Sequence, residues 1–285
     1  MIGLSKDTDF AKMIRERKPH GVTDEKLATI QGKVIAFAGK GGTGKTSICG
    51  MLIDYLCNTG RVPVLAVDAD ANTNLNEVLG IETNASMGSL AEELKHANYG
   101  QSPVAGISKE IYTELKLNMS LSESRDFDLL VIGRPEGKGC YCGVNSVLQK
   151  EIEKIQDHYP YIVVDNEAGM EHISRGILPK IDILILVSDC SRRGVQTCGR
   201  IVTLVRELKM KPGCIGLIVN RAPDGVLNEG TKEEIERQGL DLFGVIGKDD
   251  TVYEYDCAGT PLVEIPESEP VKHTIKGIFD RLDLG

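Results

Sequence analysis

Eight consecutive residues, Gly39-Lys40-Gly41-Gly42-Thr43-Gly44-Lys45-Thr46, fit the pattern G-x-x-x-x-G-K-[ST]. The apolar run Val34–Ala38 leads into them, and a segment with helical periodicity, Thr46–Asn58, follows. Glycines at these positions let backbone N–H groups turn inward around an anion without Cβ clashes. A helix starting at Lys45 or Thr46 adds the partial positive charge of its N-terminus. The chemistry expected is polyphosphate binding. Lys45 would reach the β and γ phosphates, the Thr46 hydroxyl would ligate Mg²⁺, and Ser47 would continue the contact surface along the helix.

Carboxylates end two of the apolar runs. Val67-Asp68-Ala69-Asp70 closes one run and leads into Ala71-Asn72-Thr73-Asn74-Leu75, and Ile162-Val163-Val164-Asp165 closes another. The carboxyl ends of strands in an open α/β sheet line the ligand crevice, so these acids face it. Asp165, an acid after an apolar strand, has the arrangement that holds Mg²⁺ beside such a loop. Asp68 either binds Mg²⁺ through water or caps the turn. Asn166-Glu167-Ala168-Gly169 would follow as a segment that senses the terminal phosphate, and His172 either connects it to the rest of the site or is structural. Asn220 and Arg221 end a later run, Ile215–Val219, where an Asn serves a base or a turn.

Gly139-Cys140-Tyr141-Cys142-Gly143 points to a soft metal. Two thiolates two positions apart can face one ion from a loop, and sulfur ligands select Ni, Zn, Cu(I) or iron–sulfur clusters. Lys138 and a helix starting at Val144 would lower the thiol pKa values. Two ligands leave a tetrahedral site half filled. A two-fold homodimer with this segment at its axis would supply Cys140 and Cys142 twice, giving a shared site for Ni²⁺ or Zn²⁺. The other six cysteines, Cys49, Cys57, Cys190, Cys198, Cys214 and Cys257, lack ligand spacing and are expected as core or semi-exposed small residues.

These residues need a sheet to hold them. Nearly continuous apolar runs at Val34–Ala38, Val62–Val67, Leu129–Ile132, Tyr161–Val164, Ile183–Val187, Ile215–Val219 and Leu242–Ile246 read as parallel strands covered on both faces. Helical periodicity marks Thr46–Asn58, Val144–His158, Val195–Leu208 and Glu233–Gln238, and the tail Val271–Leu282 reads as a final packing helix. Alternation of the two over some 250 residues implies one α/β domain, residues 33–285, with a doubly wound, mostly parallel sheet. Residues 1–32 form an N-terminal arm with one short helical candidate, Asp7–Arg17, and no recognisable chemistry. The net charge of −9 argues against nucleic acid as a main partner. No apolar run is long enough to span a bilayer and no signal segment is visible, so the cytoplasm is the expected location.

The second lysine, Lys40, resembles the deviant Walker A signature K-G-G-x-G-K-[ST] of MinD, ParA, nitrogenase iron protein and metal-insertion ATPases. The resemblance implies ATP/ADP as ligand and a nucleotide-sandwich homodimer. It also implies a trans role for Lys40 on the partner's phosphates, like an arginine finger. It assigns the positioning of the attacking water to Asp70 and the adenine contact to Asn220, with Ile246-Gly247-Lys248-Asp249 near the base. The combination GKGGTGKT, DADANTNL, GCYCGVN and VVDNEAGMEHISRG is similar to the CooC/AcsF group. Those ATPases help insert nickel into carbon monoxide dehydrogenase or acetyl-CoA synthase, so a client nickel enzyme is the implied partner. Two rivals follow from the wider family. One is an iron–sulfur electron carrier like nitrogenase iron protein, disfavoured because no cysteine lies between Asp165 and Cys190. The other is a MinD/ParA-type positioning ATPase.

Overall fold

The computed structural model describes residues 32–70, 72, 74–83, 86, 117, 119–133, 158–166, 180–282 and 284. Eight strands form one sheet: β1 (Lys33–Gly39), β2 (Val64–Ala69), β3 (Leu121–Glu123), β4 (Phe127–Val131), β5 (Tyr161–Asn166), β6 (Ile183–Ser188), β7 (Cys214–Ala222) and β8 (Leu242–Gly247). Their order is β3-β4-β2-β5-β1-β6-β7-β8. All pairs are parallel except β3 with β4. The described helices are α1 (Lys45–Asn58), α2 (Leu75–Leu79), α3 (Arg192–Glu207), α4 (Glu229–Gln238), α5 (Asp250–Ala258) and α6 (Pro270–Phe279).

The apolar runs are continuous because successive residues serve opposite faces and both faces are covered. Ile35, Phe37, Val163 and Ile185 pack with Ile48, Leu52 and Leu56 of α1 and Ile275 and Phe279 of α6. Their neighbours Val34, Ala36, Val164 and Leu186 pack on the other face with Val195, Cys198, Ile201 and Val205 of α3. Truncating Leu52, which is fully buried on α1, would cost about 2–5 kcal/mol.

All seven expected strands are present. β2 begins at Val64 rather than Val62, since Pro63 has no N–H for the ladder. The antiparallel edge strand β3 was not anticipated, because three residues carry too little pattern. The helix expected at Val195–Leu208 starts at Arg192, where the Ser191 side chain accepts from Gly194 N–H. The one expected at Glu233–Gln238 starts at Glu229, capped by Asn228 on Thr231 N–H. α5 was also missed: Asp249 caps it by accepting from Val252 N–H, and none of its residues is buried. The arm, its helical candidate Asp7–Arg17, and all of Val144–His158 but its last residue lie outside the described residues.

Candidate active site: a phosphate loop, two facing carboxylates and a clamp from β7

β1 lies at the centre of the sheet, and the chain crosses from one side of it to the other between β5 and β6. The crevice at such a switch point is where open α/β sheets bind ligands. The loop Gly39–Thr46 starts from this position. Gly39 has φ 152, and a Cβ there would stand 2.2 Å from the Val187 carbonyl of β6, so only glycine lets the loop leave the sheet. Thr43 Oγ1 donates to the Lys40 carbonyl at 2.9 Å, and Lys45 Nζ donates to the same oxygen at 3.3 Å. The Lys45 side chain is buried within the loop, whereas Lys40 is exposed. One lysine therefore serves its own loop, and the other is free to reach outward.

Thr46, in the first turn of α1, donates from Oγ1 to Asp165 Oδ2 at 2.6 Å. Asp165 is 1% exposed, and its Oδ1 has no hydrogen-bond partner among the described residues. Its register neighbour across β2 and β5 is Asp68, also fully buried. Burial pushes Asp165 up to about 7, with the Asp68 charge adding to the rise and the Thr46 hydroxyl opposing it. Burial likewise raises Asp68 to about 6, against the hydrogen bonds it accepts from backbone N–H groups. Those bonds define what Asp68 does locally: Oδ1 accepts from Asp70 N–H at 3.0 Å and Oδ2 from Leu75 N–H at 3.1 Å. It shapes the turn that carries Asp70, and Asp70 in turn accepts from Asn72 N–H at 2.9 Å.

A hydroxyl, a buried carboxylate with one open oxygen and a second carboxylate beside it suit a hard divalent cation held by oxygen. Thr46 and Asp165 would hold Mg²⁺, with Asp68 close enough to act through water. Bound there, the ion would neutralise charge on the outer phosphates.

A cavity of about 960 Å³ runs from this loop along α2, lined by Gly44, Lys45, Thr46, Asp70, Asn74 and Arg221 among others. A smaller one of about 360 Å³ adjoins it between α1, β7, β8 and α5, with Met51, Asn220, Ile246, Lys248, Val252 and Tyr253 in its wall. Ser47, Arg221 and Asp256 line both. The larger exposes the loop with Lys45 and Thr46, groups suited to a polyphosphate; the smaller has an apolar lining that would suit a purine ring. The structure thus brings Gly39 to Ser47, Asp68, Asp70, Asp165, Asn220 and Arg221 to one end of the sheet. Met51, Val252, Tyr253 and Asp256 were missed, because α1 and α5 come to line one cavity only in the folded chain.

Cys140 and Cys142, Glu167 and His172 lie outside the described residues. Among the described residues no group of three His, Cys, Asp or Glu is placed to hold a metal ion. The six other cysteines are free thiols. Cys49 and Cys198 are buried and Cys57 and Cys190 half-buried as expected, but Cys214 and Cys257 are exposed, at a strand start and on α5.

Together, the fold and the loop define a P-loop nucleotide-binding α/β protein. Residues 34–262 match the CobQ/CobB/MinD/ParA nucleotide-binding domain, and the chain belongs to that family and is an ATPase of its type. An ATP-binding protein of Methanocaldococcus jannaschii is 37% identical over 252 residues, 87% of this chain and 98% of the relative. The carbon monoxide dehydrogenase accessory protein CooC of Rhodospirillum rubrum is 28% identical over 79% of this chain and 87% of its own length. Among solved structures, MinD from Pyrococcus horikoshii in complex with Mg-ADP is similar in fold. Its TM-score is 0.65 at 19% identity, covering 88% of this chain and 96% of that one.

Proposed function

We propose that the chain is a homodimeric, ATP-driven metallochaperone that carries nickel, or zinc, on paired Cys140-Tyr141-Cys142 segments and delivers it to a client nickel enzyme. The client would be carbon monoxide dehydrogenase or acetyl-CoA synthase. The observation that carries this reading is the Cys-x-Cys segment in a chain whose relatives include a carbon monoxide dehydrogenase accessory protein. The metal is cargo. Mg-ATP binding at Gly39 to Ser47 closes two protomers over their nucleotides, brings four thiolates together, and hydrolysis reopens them. In this scheme Lys40 reaches the partner's phosphates, Asp70 positions the attacking water and Asp165 with Thr46 holds Mg²⁺.

A MinD/ParA-type positioning role remains the main competitor, since the fold is shared. The described tail gives it little support. Val271, Ile275, Ile278 and Phe279 of α6 are buried in the core, leaving that helix no free apolar face for a membrane. Among the described residues no helix is long and apolar enough to cross a membrane.

The test is metal stoichiometry on a sizing column, with Ni²⁺ and with or without Mg-ATP, against a Cys140→Ala/Cys142→Ala variant. About one nickel per ATP-bound dimer, lost in the variant while ATP still binds, is expected. Equal nickel in both proteins, or a clean ATP-bound dimer without nickel, would refute the metal-carrying role.

A further inference from the structure

β1 carries the phosphate loop and β5 carries Asp165, and the two strands pair in register from Lys33↔Tyr161 to Phe37↔Asp165. Asn166 is the next residue of β5, one position past that last pair. It is 2% exposed, and its Nδ2 donates to the Phe37 carbonyl at 2.8 Å. The side chain adds a tie between the strands where their pairing ends. On the other edge of β1, the Val187 carbonyl of β6 leaves no room for a Cβ at Gly39. The end of β1 is therefore held from both sides just where the loop leaves it.

Alternation along a strand sends the Asp165 and Asn166 side chains to opposite faces of the sheet. Asp165 faces α1, where it meets Thr46 Oγ1 at 2.6 Å. Asn166 is on the other face, so its influence on that pair passes through the backbones of β1 and β5. Mg²⁺ demands near-ideal octahedral geometry, and a small shift of β1 against β5 is felt at the ion.

The amide comes at a cost. Among the described residues three buried side-chain atoms lack a hydrogen-bond partner, Asn76 Oδ1, Asp165 Oδ1 and Asn166 Oδ1, and two of them belong to consecutive residues. A cation accounts for the Asp165 oxygen but not for the one on the opposite face. Leucine in place of Asn166 would bury no unpaired acceptor and would match Ile162 and Val164, which precede it on that face. What leucine lacks is the donor to Phe37.

We propose that Asn166 is a positioning residue for the Mg²⁺ pair: by tying β5 to β1 one residue past Asp165, it fixes the spacing between the Asp165 carboxylate and the Thr46 hydroxyl. The proposal rests on those two groups holding the ion, and is independent of any cargo carried on Cys140 and Cys142.

The experiment uses the full chain, with Mn²⁺ as a spectroscopic stand-in for Mg²⁺, since both suit oxygen ligands in octahedral geometry. It reads the Mn²⁺ affinity of the ADP complex by electron paramagnetic resonance, the ADP affinity in chelator, and the melting temperature. Asn166→Leu and Asn166→Ala should both bind Mn²⁺ about three- to tenfold more weakly, with ADP affinity in chelator unchanged. Asn166→Leu should melt close to wild type, because the lost hydrogen bond is offset by removal of an unpaired acceptor. Unchanged Mn²⁺ affinity in both variants would overturn the proposal. So would an equal loss of ADP affinity in chelator, which would make Asn166 a support of the whole loop. A lowered melting temperature in Asn166→Leu that accounts for the weaker Mn²⁺ binding, or failure of both variants to fold, would make it a support of the fold and overturn the proposal too. Wild-type protein whose ADP complex takes up no Mn²⁺ would remove the Mg²⁺ pair and the proposal with it, leaving the metal-carrying role to its own test.

Discussion

The Thr46 hydroxyl and the Asp165 carboxylate meet at 2.6 Å across 119 residues of sequence, and the second Asp165 oxygen is buried without a partner among the described residues. An unpaired buried acceptor is costly, by about 1–3 kcal/mol, and a cation drawn to it recovers that cost. The pair is a half-built metal site, with the hydroxyl placed by the first turn of α1 and the carboxylate by the end of β5.

Thr46→Ala and Asp165→Asn should each lower the ATPase rate by roughly 10²-fold at millimolar Mg²⁺, since both act on charge at the reacting phosphates. Thr46→Ser, which keeps the hydroxyl, should stay close to wild type. Rates measured over a Mg²⁺ titration check this. Full activity in Thr46→Ala at low Mg²⁺ would contradict the assignment.

The same carboxylate makes ligand-free stability depend on pH. Asp165 rises from 3.8 to about 7 on folding, so the native chain binds this proton more tightly than the unfolded one. Its stabilising contribution is full below pH 4 and is lost as pH rises through 7. Asp68, raised to about 6, acts in the same direction. In chelator, the stability difference between wild type and Asp165→Asn should change by on the order of 2–3 kcal/mol between pH 5 and pH 8, with wild type losing ground. Denaturant melts at the two pH values measure it. Saturating Mg²⁺ favours the carboxylate and should reduce the slope or reverse it.

A second buried ion ties α1 to the end of the chain. Lys272, 4% exposed, donates to Asp54 at 2.5 Å, and Glu267 lies 3.3 Å away. Burial raises Asp54, and the Lys272 partner opposes that rise. Lys272→Ala would strand the Asp54 carboxylate and should cost about 3–5 kcal/mol. The double variant Asp54→Asn/Lys272→Met should recover part of the loss. If Lys272→Ala melts like wild type, the pair contributes nothing net.

Sequence revealed contiguous features best. Gly39 to Thr46 is legible because all its determinants are adjacent, and the central strands are legible because burial on both faces makes them continuously apolar. β3 has three residues and no such run, and α5 only half-buries Val252 and Tyr255 against the core, so neither carries a strong period. Asp68 illustrates the remaining gap. Its position at the end of β2 was readable, but its commitment to the N–H groups of Asp70 and Leu75 depends on how the next turn closes. The Asn220–Thr43 contact joins residues 177 apart, and no local pattern encodes it.

The exposed Lys40 and the buried Lys45 should fail in different ways. Lys45→Ala should abolish nucleotide binding, because its ammonium lies within the loop. Lys40→Ala should still bind ATP but hydrolyse it about 10³-fold more slowly, the loss expected when a cation supplied in trans is removed. Mixing separates trans from cis action. In a heterodimer of Lys40→Ala with Asp70→Ala, one site combines an intact Asp70 with an intact Lys40 from the other protomer, and the second site has neither. Random pairing at equal amounts makes half the dimers mixed, so about a quarter of wild-type activity should return. If Lys40 served only its own protomer, both sites would stay defective and the mixture would remain as slow as its parents.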